Sequence, residues 1–356
     1  MTMHRQNKSI SYAFAAASLF AASAPLAKLF LIQIDPVLLA SLLYLGSGLG
    51  LSFYKFLLRR GHKDPNQEAK IGRADLPWLI GATISGGIAA PIVLMFSLKY
   101  TPAATASLLL NFEGVATVLI AFIVFQEAIG KRIWLAVVLI TMAVVLLSLN
   151  PSGHWGFSPG ALGVAAACVL WGLDNNFTRN ISAKDPIVIV IVKCLAAGTL
   201  NLALALMLGN PFPGLLSVLL ACISGFFCFG LSLVFFIYSL RELGAARTSA
   251  YFATAPFIGS LLSFMIFREW PNVFFFWALP FVVVGAFLLF SEKHSHRHSH
   301  FEFEHDHVHG HPDSHHTHEH PVDDPAQTHS HPHRHAPVTH RHPHHPDIHH
   351  RHLHDE

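Results

Sequence analysis

Two stretches of the chain repeat one another and decide the fold. Residues 98–127 read LKYTPAATASLLLNFEGVATVLIAFIVFQE, and residues 240–269 read LRELGAARTSAYFATAPFIGSLLSFMIFRE. Aligned at a shift of 142 residues, Ser107 meets Ser249 and Glu127 meets Glu269. Each stretch is a long apolar run that ends on a glutamate, which indicates that the chain contains the same helical unit twice.

The repeat extends toward the amino end of each half. Asp35-Pro36 precedes the second apolar segment, and Asp185-Pro186 precedes the seventh. The shift there is about 150 residues, and a longer loop at about 59–75 in the first half accounts for the difference.

The composition predicts that most of this chain lies in lipid. Of the 356 residues, 52% are hydrophobic and 12% are charged, whereas a soluble domain carries roughly 25% charged residues. A bilayer core needs roughly 20 apolar residues per helix. We count ten such segments, at about 10–32, 37–58, 76–98, 103–125, 132–149, 160–181, 187–208, 214–239, 245–267 and 273–290.

Five segments in each half give the expected architecture. Because five is odd, the second half enters the membrane inverted with respect to the first. We therefore predict an all-α integral membrane protein with ten transmembrane helices in two inverted five-helix repeats, followed by a disordered tail. The predicted units are residues 1–150, 151–292 and 293–356. Inverted repeats of this kind place a binding site near the bilayer midplane between the halves.

Lysine and arginine predict the orientation, because they are enriched in cytoplasmic loops. With the N-terminus in the cytoplasm, 16 of these residues near the membrane fall inside and 3 outside. Ten spans return the C-terminus to the same side. We expect a multi-pass protein of the plasma (inner) membrane with both termini cytoplasmic. The alternative is that the first segment is a cleaved signal peptide ending near residue 24.

Several short motifs resemble the drug/metabolite transporter superfamily, EamA type. They are the glutamates that close residues 125–127 and 267–269, Leu-Trp-Gly at 170–172 and Ala-Pro-Phe at 255–257. The resemblance covers about residues 10–290. It implies a secondary carrier, often an exporter of metabolites, and leaves the substrate open.

Polar residues inside the predicted spans mark the candidate site, since an ionised side chain at a helix centre costs roughly 2.5–3.5 kcal/mol. Glu113, with Asn111 nearby, is either a cation or proton site facing a cavity or a protonated structural glutamate. Asp174 and Lys193 lie about 10 and 9 Å from the same membrane face, by the helical rise. Their matching depths predict an ion pair, either gated by substrate or locking the helices. Asn175 coordinates solute or bonds across helices.

Residues 294–356 hold 24 of the 27 histidines, in a segment with no apolar period. Neutral imidazole is a good ligand for zinc, nickel and cobalt. We expect this tail to bind such metals. The alternatives are a pH-sensitive polycation and a low-complexity segment that arose by neutral drift. The candidate ligands are His294, His296, His298, His300, His305, His307, His309, His311, His315, His316, His318 and His320.

Two functional hypotheses remain. The first is a secondary exporter of divalent nickel, cobalt or zinc, with the tail collecting the ion; against it, the membrane part lacks histidine. The second is an EamA-type exporter of metabolites or amino acids, with the tail as a regulatory metal buffer. An enzyme is not expected, because no intramembrane histidine stands beside a serine or cysteine. The expected partners are a small solute or metal ion and the bilayer, with no required cofactor and no nucleic acid; a homodimer is compatible with the fold.

Overall fold

The computed structural model describes residues 3–60, 69–125, 130–149, 158–182, 184–268, 271, 273–290, 295–300, 303–309, 329–335 and 338–343. Its α-helices are α1 Met3–Ala21, α2 Ser23–Phe30, α3 Pro36–Arg60, α4 Leu76–Ala82, α5 Ala90–Tyr100, α6 Ala103–Leu109, α7 Phe112–Phe125, α8 Lys131–Ser148, α9 Pro159–Ile181, α10 Pro186–Met207, α11 Leu215–Gly225, α12 Ser232–Phe252, α13 Ala255–Phe267 and α14 Val273–Phe290. A 3-10 turn spans Arg73–Asp75, and π-helical segments span Thr83–Ala89 and Phe226–Leu231.

Seven stretches of the described chain are long and apolar enough to cross a membrane. They are Ser9–Phe30, Pro36–Leu58, Arg73–Tyr100, Ala103–Phe125, Lys131–Ser148, Pro186–Met207 and Leu215–Leu240. Two shorter apolar helices, Ala255–Phe267 and Val273–Leu288, follow. The remaining predicted segment forms α9, whose Asp174, Asn175 and Asn176 make it more polar than the others. The fold class is confirmed as helical and membrane-spanning, while the count of ten spans stays a prediction.

Large apolar side chains cover the outside of the helical body. Ile123 is 70% exposed, Trp277 is 65% exposed and Met207 is 84% exposed. In water each would be costly, and a lipid environment removes that cost.

The boundary between the eighth and ninth segments differs from the prediction. The sequence places it near residues 240–244, whereas α12 continues to Phe252 and the break comes at Ala253–Thr254. In the first half, Pro102 is the residue preceding α6 and ends the preceding helix. The register position that corresponds to Pro102 holds Gly244, which keeps its backbone N–H and lets the helix continue.

The helices pack in pairs that correspond to one another when the first and second halves of the chain are exchanged. Helix α3 packs against α10, α8 against α14, α1 against α12 and α5 against α9. The second and seventh predicted spans therefore lie together, as do the fifth and tenth. The first span contacts the eighth, and the third span contacts the sixth. These two contacts correspond, because exchanging the halves turns the first span into the sixth and the eighth into the third. Such matched pairs are what an exchange of the two halves about a twofold axis would require.

Disorder of the whole tail stays a prediction, and the structure describes only some of the tail residues. These form strands β1 Ser295–His300, β2 Phe303–His309, β3 His329–His335 and β4 Val338–Pro343. Strand β1 pairs antiparallel with β4, and β2 pairs antiparallel with β3. Histidine at every second position has the period of a strand, and the backbone hydrogen bonds of the two ladders need no apolar core.

Candidate solute-binding site

The first element of the site is a break in the fourth predicted span. Helix α6 ends at Leu109 and α7 begins at Phe112, so Asn111 lies in the turn between them. The Asn111 Nδ2 donates to the Leu108 carbonyl at 3.1 Å, while its Oδ1 is buried and meets no hydrogen-bond donor among the described residues. Glu113 lies in the first turn of α7, where the helix dipole favours a carboxylate.

Helix α9 brings amide groups to this carboxylate. The Asn175 Nδ2 donates to Glu113 Oε1 at 2.8 Å and to Thr117 Oγ1 at 3.2 Å. The Asn176 Nδ2 donates to the Thr117 carbonyl at 3.0 Å. This approach depends on Gly172, because a Cβ there would lie 2.9 Å from the Thr117 backbone nitrogen. The α7–α9 contact therefore fixes where the Glu113 carboxylate points.

The second charged group is the ion pair that the sequence predicts. The Lys193 ammonium of α10 contacts Asp174 Oδ2 of α9, and the two side chains are 2% and 6% exposed. Thr178 Oγ1 donates to the other oxygen, Asp174 Oδ1, at 3.0 Å. The Asp174 carboxylate is thus neutralised within the protein.

A π-helical segment packs directly against this pair. The Gly86 carbonyl accepts a hydrogen bond from the Tyr44 hydroxyl at 2.7 Å and one from Trp171 Nε1 at 3.1 Å. A Cβ on Gly86 would lie 1.9 Å from Asp174 Oδ2. The carboxylate therefore fits only because residue 86 has no side chain. Segments of π-helix occur frequently at functional sites.

These groups surround two adjoining cavities, with about 520 and 430 Å³ of space between the surrounding atoms, part of which is open to solvent. Phe20, Glu113, Asn175, Phe236 and Phe252 border both. The first cavity is also lined by Tyr44, Trp171, Asp174, Lys193, Cys194, Phe229, Ser232 and Leu233. The second is also lined by Leu110, Asn111, Gly114, Ala253 and Pro256. Both halves of the sequence contribute, so the space lies between them.

The structure brings together the five predicted membrane residues. Glu113, Asp174, Asn175 and Lys193 border the first cavity, and Asn111 borders the second. Their roles stay predictions.

Several residues of the site are not predicted from the sequence. Tyr44, Thr117 and Gly86 are examples. A tyrosine near the middle of the apolar segment 37–58 is the signal that could have found Tyr44, because a buried hydroxyl usually needs a partner.

The tail histidines can be placed only in part. His296, His298, His300, His305, His307 and His309 lie in β1 and β2, of which the backbone alone is described. His294, His311, His315, His316, His318 and His320 lie outside the described residues, as do Glu127 and Glu269. Within the described part of the chain, no group of three His, Cys, Asp or Glu residues could hold a metal ion.

A polar cluster joins the two halves at one end of the helical body. Lys55 Nζ at the end of α3 lies 2.5 Å from Asp185 Oδ2, and both side chains are 13% exposed. Asp185 Oδ1 caps α10, accepting from two backbone N–H groups of its first turn. The Asp185 backbone N–H donates to the Ala69 carbonyl at 3.1 Å, and Lys184 lies 3.9 Å from Asp75. We call these five residues the interhalf latch.

Comparison with known proteins identifies the chain. The profile of the EamA-like transporter family matches residues 7–149 and 158–291. The chain belongs to the EamA-like transporter family. This confirms the resemblance inferred from residues 125–127 and 267–269, and it points to a transporter rather than an enzyme.

Relatives of this EamA-like transporter agree with that assignment. An uncharacterized transporter of Methanothermobacter thermautotrophicus is 29% identical over 262 residues, which cover 70% of this chain and 76% of the relative. The uncharacterized inner membrane transporter YedA of Escherichia coli is 23% identical over 240 residues, covering 64% and 72%. One crystal structure has a TM-score of 0.59 at 22% identity and covers 79% of this chain and 94% of its own. That likeness shows the fold.

Proposed function

We propose that this EamA-like transporter is a secondary carrier of the inner membrane that exports a small organic solute through the cavity around Glu113 and the Asp174–Lys193 pair. The observation that carries the proposal is the composition of the cavity. Among the described residues, it combines one carboxylate that forms no salt bridge, one internally neutralised ion pair and a wall of aromatic rings. Pockets for organic ligands are mostly apolar, with a few polar groups that fix orientation.

The position of the cavity supports alternating access. Phe20, Tyr44 and Glu113 come from the first half, and Trp171, Asp174 and Lys193 come from the second. Carriers built from inverted repeats hold their solute between the repeats, at discontinuous helices, and open to each side in turn. The breaks at Leu110–Asn111 and Ala253–Thr254 are discontinuities of this kind.

Glu113 is the group that we expect to couple transport to protons. Asp174 is held by Lys193 and Thr178, so it cannot gain a proton without breaking a buried ion pair. Glu113 accepts one hydrogen bond on Oε1 from a neutral amide, Asn175. For a solute that carries one positive charge, a proton that binds Glu113 as the solute leaves would keep the cavity charge constant, which lowers the cost of returning the empty site across the membrane.

The test uses purified full-length protein in proteoliposomes with an imposed pH gradient. Uptake of a panel of radiolabelled amino acids, amines and organic acids is measured for wild type, Glu113→Gln and Asp35→Asn. We expect proton-driven flux of at least one solute to vanish in Glu113→Gln, which keeps the side-chain shape. Asp35→Asn removes a partly exposed carboxylate outside the cavity and should transport normally. Undiminished flux in Glu113→Gln would refute the assigned site.

Export of divalent nickel, cobalt or zinc is the second candidate, and the 24 tail histidines favour it. Against it, Lys193 places a positive charge beside the cavity, and transition metals prefer nitrogen and sulfur ligands. Cellular nickel, cobalt and zinc are measured in cells expressing wild type or Glu113→Gln. The organic-solute proposal expects equal metal content, and a higher content in Glu113→Gln would establish metal efflux instead.

A further inference from the structure

The cavity lining has more acidic than basic side chains. Its titratable lining residues are Tyr44, Glu113, Asp174, Lys193 and Cys194. Among these described lining residues, Lys193 is the one that carries a positive charge, and its ammonium already contacts Asp174. With both carboxylates ionised, the lining carries one net negative charge, located on Glu113. A solute that compensates this charge must carry a single positive charge.

An anionic group on the solute would find no equivalent partner in the described lining. The Lys193 side chain is 2% exposed and is committed to Asp174. A carboxylate approaching it would have to displace Asp174, which Thr178 also holds through Oδ1. Leaving a buried charge unpaired is strongly unfavourable. We therefore expect the cavity to discriminate against carboxylic acids and zwitterionic amino acids.

The rest of the wall is a connected set of aromatic rings. The Phe20 ring lies 5.9 Å from Trp171, 5.9 Å from Phe229 and 5.1 Å from Phe252, between centroids. Phe252 in turn lies 5.0 Å from Phe236. We call these five rings the aromatic box.

Two features hold the aromatic box beside the carboxylate. Phe20, Phe236 and Phe252 border both cavities, as Glu113 does. The Trp171 N–H donates to the Gly86 carbonyl, so this ring is fixed and its polar atom is satisfied. The faces of aromatic rings attract organic cations, and the attraction grows as water is excluded.

We propose that the transported solute is an organic monocation of the arylalkylamine type, with its ammonium group between Glu113 and the ring faces of the aromatic box and its hydrocarbon part against the same rings. This inference rests on the proposed function of the cavity and adds the chemical class of the solute. Glu113 supplies the compensating charge, and the rings supply apolar contact for the rest of the molecule.

Three probes that share one phenyl ring and a short chain test the proposal. Phenethylamine carries charge +1, phenylalanine is zwitterionic and 3-phenylpropionate carries charge −1 at neutral pH. Binding of each to the purified full-length protein is measured by isothermal titration calorimetry. We expect phenethylamine to bind roughly tenfold more tightly than either of the others, as one additional ion pair in a partly buried site allows. Equal or tighter binding of phenylalanine or phenylpropionate, or no binding of phenethylamine, would overturn the proposal.

Two variants attribute the binding to the named groups. Glu113→Gln should reduce phenethylamine affinity to the level of phenylalanine, and Phe252→Leu should weaken it by roughly two- to fivefold through loss of the ring face. Asp35→Asn should leave it unchanged. Retained amine affinity in Glu113→Gln contradicts the assignment.

The outcomes also separate this inference from the proposed function. If the liposome panel shows Glu113-dependent flux of a neutral or anionic solute, the monocation inference alone fails. If no organic solute is transported, the proposed function fails.

Discussion

At the scale of single residues, the Asp174–Lys193 pair shows how a charge is kept inside a membrane protein. Desolvating two ions is costly, and their mutual attraction with added hydrogen bonds offsets that cost only while both are present. Lys193 is 1% exposed as a whole residue, so each partner depends on the other.

Removing one partner should therefore destabilise the protein more than removing both. Lys193→Met is expected to lower the free energy of unfolding by about 3–5 kcal/mol. The double variant Asp174→Leu/Lys193→Met should recover most of this loss. Thermal unfolding of the purified proteins in detergent measures both.

The double variant also distinguishes a working pair from a static one. If the pair takes part in transport, the double variant is stable and inactive. Wild-type flux from it would show that the pair only locks α9 to α10. A double variant no more stable than Lys193→Met would contradict the mutual dependence of the two buried charges.

The five intramembrane candidates could be found from the sequence because a polar residue in an apolar run is conspicuous. Matching depths along two helices were enough to pair Asp174 with Lys193. Thr117 and Gly86 could not be found this way. Their role comes from a backbone carbonyl and a missing Cβ, and both features acquire meaning only when another helix packs against them.

At the scale of elements, the two π-helical segments shape the cavity wall. Thr83–Ala89 presents the Gly86 carbonyl to Tyr44 and Trp171, and Phe226–Leu231 places Phe229 in the lining. Apolar spacing predicts a helix through each of these regions but cannot distinguish a π turn from an α turn. The break at Leu110–Asn111 was not predicted either, because no proline marks it.

Gly86→Ala tests the close approach of the first segment to α9. The new methyl group would overlap the Asp174 carboxylate, so the ion pair must shift, at a cost of about 1–3 kcal/mol. We expect a lower unfolding temperature together with loss of solute flux. Gly214→Ala is the matched control, because a Cβ there meets no atom of the described residues within 4 Å. Normal stability and flux in Gly86→Ala would show that the wall is more adaptable than the structure indicates.

At the scale of the whole molecule, the interhalf latch ties the two halves at one end of the helical body. From the sequence, Lys55 was assigned to the second predicted span and the other four residues to turns and loops, because nothing in the sequence shows that the loop at about 59–75 meets the turn before α10. We expect a carrier that opens at this end to separate Lys55 from Asp185.

Lys55→Gln should loosen that end. Loss of one partner of this partly buried pair should cost about 1–3 kcal/mol, between the values for exposed and buried pairs. Because the Asp185 amide donates to Ala69, we expect it to exchange with deuterium faster in the variant. Lys99→Gln is the control, since Lys99 lies 3.9 Å from the half-exposed Asp35. Unchanged exchange at Asp185 would show that the ion pair does not hold the latch.

The tail makes a separate prediction. At four imidazoles per ion, 24 histidines can hold about six zinc ions. Equilibrium dialysis followed by elemental analysis should find several zinc ions per intact chain and few for a chain ending at Lys293. Binding should fall below roughly pH 6, because protons compete for neutral imidazole. Equal zinc content in the two chains would contradict the prediction that the tail binds metal.

The placement of the two π-helical segments has a consequence for the ancestry of the protein. They occupy nearly the same register in both halves, residues 83–89 and 226–231, at the shift of 142 that aligns the later stretches. A π turn contains more residues than an α turn. We infer that one such turn was already present in a five-helix unit before that unit was duplicated, because a single origin accounts for both segments.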